Sequence, residues 1–210
     1  RVHAERFASS KDASAAWLAD ASACWDRIGE IARAGGASSG DAFARAAEMR
    51  RMARDRAPDD ARHARGLAAA LVKQGDAALE ANENAIARAA LSESTMIRLK
   101  LLEAAPTDRT ATHALAVALE RLGLAARAMG DLAAARSAWE DELALAFQLF
   151  NQDDLEGMRF CAIVESHLAS AGGMEAETHR RAALERFDTL ARAGVLTERE
   201  AALRKKLWGG

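Results

Sequence analysis

Apolar residues in this chain recur three and four positions apart, in long runs broken by short polar stretches, which is the period of amphipathic helices. Trp17, Ala21, Cys24, Trp25, Ile28 and Ala32 form one such stripe, and Leu132, Ala135, Trp139, Leu143 and Phe147 form another. No run of alternating β-branched residues argues for a sheet. The breaks carry stop and start signals. Pro58 and Pro106 each end a helix, and the acids that follow, Asp60 and Asp108, suit the orphan N–H groups of the next one. Asn151-Gln152-Asp153-Asp154 holds the corresponding place further on, with Asp153 and Glu156 at capping-box spacing.

These breaks lie 48 and then 46 residues apart, and the interiors repeat with them. Leu67–Gly75 aligns without gaps on Leu115–Gly123, and Ala81-Asn82-Glu83 falls on Met129-Gly130-Asp131, where Asn or Gly can take the left-handed backbone that closes a helix. Gly29 lies 46 residues before Gly75, with Gly35-Gly36 as the matching turn, and Leu168-Ala169 with Gly172-Gly173 repeats the scheme more loosely. The pattern predicts helices at 12–33 and 39–56, 60–81 and 83–104, 108–129 and 131–151, and 154–171 and 174–192. Gly194 stops the eighth, and Thr197 with Glu200 starts a ninth that ends in Leu207-Trp208.

A hairpin of this kind leaves its apolar stripe half covered, so neighbours must stack on it. The expected fold is all-α: an α-α superhelix, or solenoid, of about four hairpins over 12–192 (units 12–56, 60–104, 108–151 and 154–192). An N-terminal extension, 1–11, precedes it, and a C-terminal capping helix within 193–210 covers the last apolar face.

Composition strengthens this picture more than it changes it. Of 210 residues half are hydrophobic, but aromatics are 5 %, Tyr is absent and Pro occurs twice; an Ala-, Arg- and Glu-rich chain of this kind favours helix. A net charge of −2 gives no electrostatic reason for nucleic acid or anionic lipid as partner. No window approaches the roughly 18 uninterrupted apolar residues of a membrane span. The chain starts at Arg1 without a signal peptide, which suggests a segment of a longer protein. Cys24 and Cys161 each sit alone in an apolar stretch and are expected as buried thiols, in keeping with a reducing cytoplasm.

Residues 119–139 resemble a tetratricopeptide repeat: Leu122-Gly123, Ala126, Gly130-Asp131-Leu132, Ala135 and Trp139 stand at that family's spacings, with Leu119 at its first aromatic position. The other units match less closely, and the repeat is longer than the usual length of about 34 residues. The resemblance implies a binding groove lined by the first helix of each hairpin. Carried over, its positions are Asp26, Glu30 and Arg33, then Val72 and Asp76, then Glu120, Leu124 and Arg127, and finally Ile163, Ser166 and Ser170. Acids at Asp26 and Glu120 do not suit a carboxylate clamp, and a mixed acidic and apolar groove suits a basic or amphipathic helix.

Candidate chemistry is sparse. No two of His3, His63, His113, His167 and His179 are four apart, and Cys-x-x-Cys is absent, so no metal site is expected. The pairs Glu175/His179 and Asp59/His63 read as solvated ones. Ser166 and His167 are adjacent, hence about 100° apart on a helix, and make no dyad. Gly35-Gly36-Ala37-Ser38-Ser39-Gly40 lacks the Lys of a phosphate loop and reads as an interhelix turn. Arg45, Arg50, Arg51, Arg54, Arg56, Arg62 and Arg65 are interleaved with Glu48, Asp55, Asp59 and Asp60 but with no aromatic residue, as on a salt-bridged face. The expectation is a module without catalysis or cofactor, whose partner is another protein (a peptide or helix) or a neighbouring domain of the same chain. The alternatives are a regulatory or sensor domain of a larger enzyme or signalling protein, and a helical-repeat nucleic-acid binder.

Overall fold

The computed structural model describes residues 14–151 and 154–209, so the expected extension at 1–11, His3 and Asp153 lie outside the described residues. Among the described residues there are nine α-helices and no strand: α1 Ala15–Ala34, α2 Gly40–Arg56, α3 Ala61–Glu80, α4 Asn84–Ala104, α5 Arg109–Ala128, α6 Leu132–Leu149, α7 Leu155–Ala171, α8 Ala176–Arg192 and α9 Glu198–Trp208. Two compact units divide the chain, Arg1–Ala105 and Pro106–Gly210. In the first, α1 packs on α2, α2 on α3 and α3 on α4, with a further contact of α1 on α3. In the second, α5 packs on α6, α6 on α7 and α7 on α8, and α9 lies against both α8 and α7. The fold is thus all-α, with hairpins stacked in chain order within each unit. No helix among the described residues is long and apolar enough to cross a membrane.

The start and stop signals act as their chemistry requires. Asp60 accepts the Arg62 N–H of α3 at 2.9 Å, and Asp108 accepts those of Thr110 and Ala111 at 2.9 and 3.1 Å, so each acid satisfies donors the helix leaves orphaned. At α7 the cap is Asp154, one residue later than the Asp153 expected from sequence; its carboxylate accepts the Gly157 N–H at 2.7 Å. Helix α3 closes through Asn82 (φ 59°) and α5 through Gly130 (φ 78°). Each left-handed residue turns the next N–H back to a carbonyl of the last turn, Glu83 to Ala78 at 2.8 Å and Asp131 to Ala126 at 3.0 Å. The same closure ends α1 after Gly35-Gly36, which is an interhelix turn, and α8 at Gly194.

One packing device recurs at the repeat distance. Phe43, Leu91, Trp139 and Phe187 stand 48 residues apart on the second helices of the four hairpins, and all four are fully buried. Three of them sit directly on a glycine of the preceding helix. A Cβ added at Gly29 would lie 2.7 Å from the Phe43 ring, at Gly75 2.5 Å from Leu91 Cγ, and at Gly123 2.5 Å from Trp139 Cε2. Each glycine is thus a socket filled by the large side chain of its own hairpin. Beside it a second pair of positions repeats with its donor exchanged: Ser22 Oγ donates to the Ala46 carbonyl at 3.0 Å, and one repeat later Ser94 Oγ donates to the Ala68 carbonyl at 2.8 Å. A further 48 residues on, the place of Ala46 and Ser94 is taken by Glu142, buried to 2 % exposure, and then by Leu190.

This contact explains why the apolar stripe expected on α1 is rotated. Helix α1 buries Leu18, Ser22 and Gly29, while Cys24 is exposed and Ile28 is 49 % exposed. Small residues win the interface because close approach to α2 needs them, while Trp17, Ala21 and Trp25 pack from the flank against Met49 and Ala53. Cys161 is buried as expected; Cys24 is not. On α6 the middle of the expected stripe is buried, and its ends, Leu132 and Phe147, are exposed.

Helix α9 is held by its capping box, with Thr197 N–H donating to Glu200 at 2.8 Å, and by Arg159 of α7, which reaches Glu200 at 2.6 Å. Leu203 and Leu207 pack on the cluster of Ala162, Ala183, Phe187 and Leu190. Trp208, expected to share in this cover, is 63 % exposed instead.

Candidate functional site

The positions carried over by resemblance behave differently in the two units. In the first, Asp26, Glu30 and Arg33 lie on α1, and Val72 and Asp76 lie half-buried on α3. The acids of α1 are already engaged: Lys73 of α3 reaches Glu30 at 2.9 Å and Asp26 at 3.4 Å. Arg33 pairs with Glu80 at 3.1 Å and lies 4.9 Å from the Phe43 ring centre. The hydrogen bond and charge of Lys73 hold the Glu30 carboxyl below its ordinary range. The acidic surface expected here is therefore compensated from within. Lys73, one residue beyond a carried-over position, was missed because the family pattern does not use it.

In the second unit Glu120 is half-buried and its carbonyl accepts the Trp139 indole N–H at 3.3 Å; Leu124 packs against the core around Trp139. Ile163 packs on the cluster under α9. Arg127, Ser166 and Ser170 come together. Arg127 Nη1 donates to Ser170 Oγ at 3.3 Å, and Ser170 Oγ donates to the His167 carbonyl at 2.7 Å. Ser166 is buried, and its hydroxyl donates to the Ile163 carbonyl at 2.7 Å rather than towards His167. The three residues line a recess of about 470 Å³ that also takes in His167, Arg180 and Lys206, with an apolar wall that includes Leu203 and Leu207. Its outer edge carries Met174, whose side chain is wholly exposed.

The charges around the recess are unequal. Arg180 is satisfied by Glu177, at 2.7 and 2.9 Å, and by the Leu207 carbonyl at 3.1 Å. Arg127 meets a neutral hydroxyl and the face of Trp139, 5.6 Å from the ring centre. Lys206 has no carboxylate within salt-bridge distance among the described residues. His167 is 7 % exposed, stacks on Trp139 with ring centres 5.0 Å apart, and its Nδ1 has no hydrogen-bond partner among the described residues. Burial, with the nearby charges of Arg127, Arg199 and Arg121, pushes the imidazole down to about 4, so it is neutral at physiological pH.

Two acids of the second unit, Glu142 on α6 and Glu165 on α7, are buried. Burial drives Glu142 up to about 9, helped by the charge of Glu120 and opposed by Arg121. Glu165 is raised by burial to about 7, although Arg186 donates to it at 2.7 Å. Cys161 between them is raised by burial as well. No group of three or more His, Cys, Asp or Glu side chains that could hold a metal ion occurs among the described residues. His63 faces Asp60 at 3.9 Å rather than Asp59, and His179 faces Glu175 at 3.8 Å.

The arginine-rich stretch is largely paired. Arg51 holds Glu93 at 2.7 and 3.3 Å, Arg45 lies 3.4 Å from Glu48, Arg54 3.0 Å from Asp55 and Arg62 2.7 Å from Asp60.

Among known proteins, no family model matches this chain and no curated sequence is significantly similar to it. What the packing supports is a helical repeat in the coarse sense, neighbouring helices stacked in chain order within each unit.

Proposed function

We propose that this chain is a tetratricopeptide-like protein-interaction module, which binds a peptide or helix of another protein on the face made by the first helices of its hairpins. The observation that carries this reading is the side-by-side placement of those helices within each unit. Lys73 of α3 bridges to Glu30 and Asp26 of α1, and Arg127 of α5 bonds Ser170 of α7. In the second unit that face opens into the recess beside α9. A partly apolar recess with a few convergent polar groups is the usual form of a ligand site. Ion pairs and hydrogen bonds already fix the side chains of this face, so little of its conformational freedom is left to lose on binding.

The test is selection of displayed random peptides against the purified chain, followed by calorimetry on the enriched sequences. Stoichiometric binding that protects amides of α5 and α7 from exchange supports the reading. Enrichment no greater than on a chain unfolded by urea ends it.

A further inference from the structure

The recess in the second unit has its own chemistry, and it is opposite to the one the sequence suggested for the groove. Three cationic side chains reach it, and one of them, Arg180, is cancelled by Glu177. Arg127 and Lys206 remain without a carboxylate among the described residues, at its α5 and α9 sides. Between these sides lies His167, nine-tenths buried, with a ring nitrogen that no described group satisfies. A buried polar atom of this kind costs stability unless something completes it. Leu203, Leu207 and Ala169 add an aliphatic lining, and the wholly exposed Met174 also borders the recess.

Resting on the protein-interaction reading above, we infer that this recess binds an acidic peptide segment in which an aliphatic side chain is flanked by a carboxylate. The carboxylate lies between Arg127 and Lys206 and accepts from both, while the aliphatic side chain covers Leu203 and Leu207. Charge complementarity selects this occupant. A basic segment would meet two uncompensated cations, and a purely apolar one would cover them without a partner. Helix α9 is then half of a binding site rather than a cover alone. Ser170 positions Arg127 by accepting its Nη1–H.

The experiment titrates the isotopically labelled full chain with blocked peptides of one length, whose central Leu-Leu pair is flanked by Glu, by Gln or by Lys. The Trp139 indole N–H and the His167 ring protons, which lie against Arg127 and the recess, are the local reporters. The Glu peptide is expected to shift both, and to bind at least about tenfold more tightly than the Gln peptide, the scale of a charge-assisted hydrogen bond. Arg127→Glu and Lys206→Glu, both at exposed positions, should each abolish that preference, whereas Lys205→Glu, next in sequence but outside the recess lining, should keep most of it.

The inference is overturned if the Gln or Lys peptide binds as well as the Glu peptide, if none binds, or if the shifts leave Trp139 and His167 untouched. Failure here with success of the peptide selection would leave the interaction reading standing and move its site elsewhere. Failure of the selection together with the titration would remove the broader reading as well.

Discussion

The hairpins α3–α4 and α5–α6 share one frame and put different side chains in it. Both seat a large residue of the second helix in a glycine of the first, Leu91 on Gly75 and Trp139 on Gly123. Next to the socket, however, α4 has Ser94, which bonds a carbonyl of α3, and α6 has Glu142, which is buried with one carboxylate oxygen unsatisfied. Outside the hairpins the contrast continues. The first unit neutralises the charges of α1 against α3, whereas the second leaves Arg127 and Lys206 facing a recess and a neutral imidazole beneath it. A repeat thus conserves the shape of its packing while varying the polarity it encloses.

The largest effect that can test this contrast is steric. Gly123→Val should cost about 4 kcal/mol and Gly75→Val about 2 kcal/mol, read from urea-denaturation midpoints. The Leu91 side chain can rotate away from the added atoms, but the Trp139 ring is fixed by its bond to the Glu120 carbonyl and by stacking on His167. The opposite ranking would mean that the two sockets are not equivalent. Next comes Glu142. Its folded-state value, about 9, stands above the ordinary 4.5, so the contribution of Glu142 is most favourable below 4.5 and declines as pH rises towards 9. Glu142→Ser, which imports the residue of the preceding repeat, should stabilise the chain by roughly 2–3 kcal/mol at neutral pH and flatten that slope. A variant less stable than the parent at pH 8 would contradict it.

A smaller effect of opposite sign belongs to His167, whose value is lowered from 6.5 to about 4. Stability from its burial is complete above 6.5 and is lost as pH falls through 4. His167→Phe, which keeps a ring against Trp139, should remove about 1–2 kcal/mol of acid sensitivity near pH 4.5 in thermal melts. The smallest effect lies in the first unit. Lys73→Ala should let the Glu30 carboxyl return upward to its ordinary range in a carbon-detected NMR titration while the fold stays intact.

Helix ends were the most legible part of this molecule, because their chemistry is local. Pro58, Pro106, Asn82, Gly130 and Gly194 fix the breaks wherever the chain goes next, and Asp60 and Asp108 cap as their position requires. The face that α1 buries was less legible. Counting large apolar residues placed Cys24 and Ile28 inside, whereas the interface is set by Ser22 and Gly29, whose small size has no hydrophobic signature. The recess was barely legible at all. Arg127, Ser166 and Ser170 were named from their repeat positions, but Lys206 and Leu207 come from a helix that sequence marks as a cap, and His167 gains its meaning from Trp139, an element away. Sites assembled from three or four helices have no local spacing to announce them.

The seat of Trp139 gives the second unit a built-in optical probe. Of the four indoles, Trp208 is open to water, Trp17 and Trp25 are partly covered, and Trp139 is sealed beneath Arg127 and against His167. A dissolved collisional quencher therefore silences the others first and leaves blue-shifted light from this one ring. Occupancy of the neighbouring cleft becomes visible as a change in that residual emission, with no label attached.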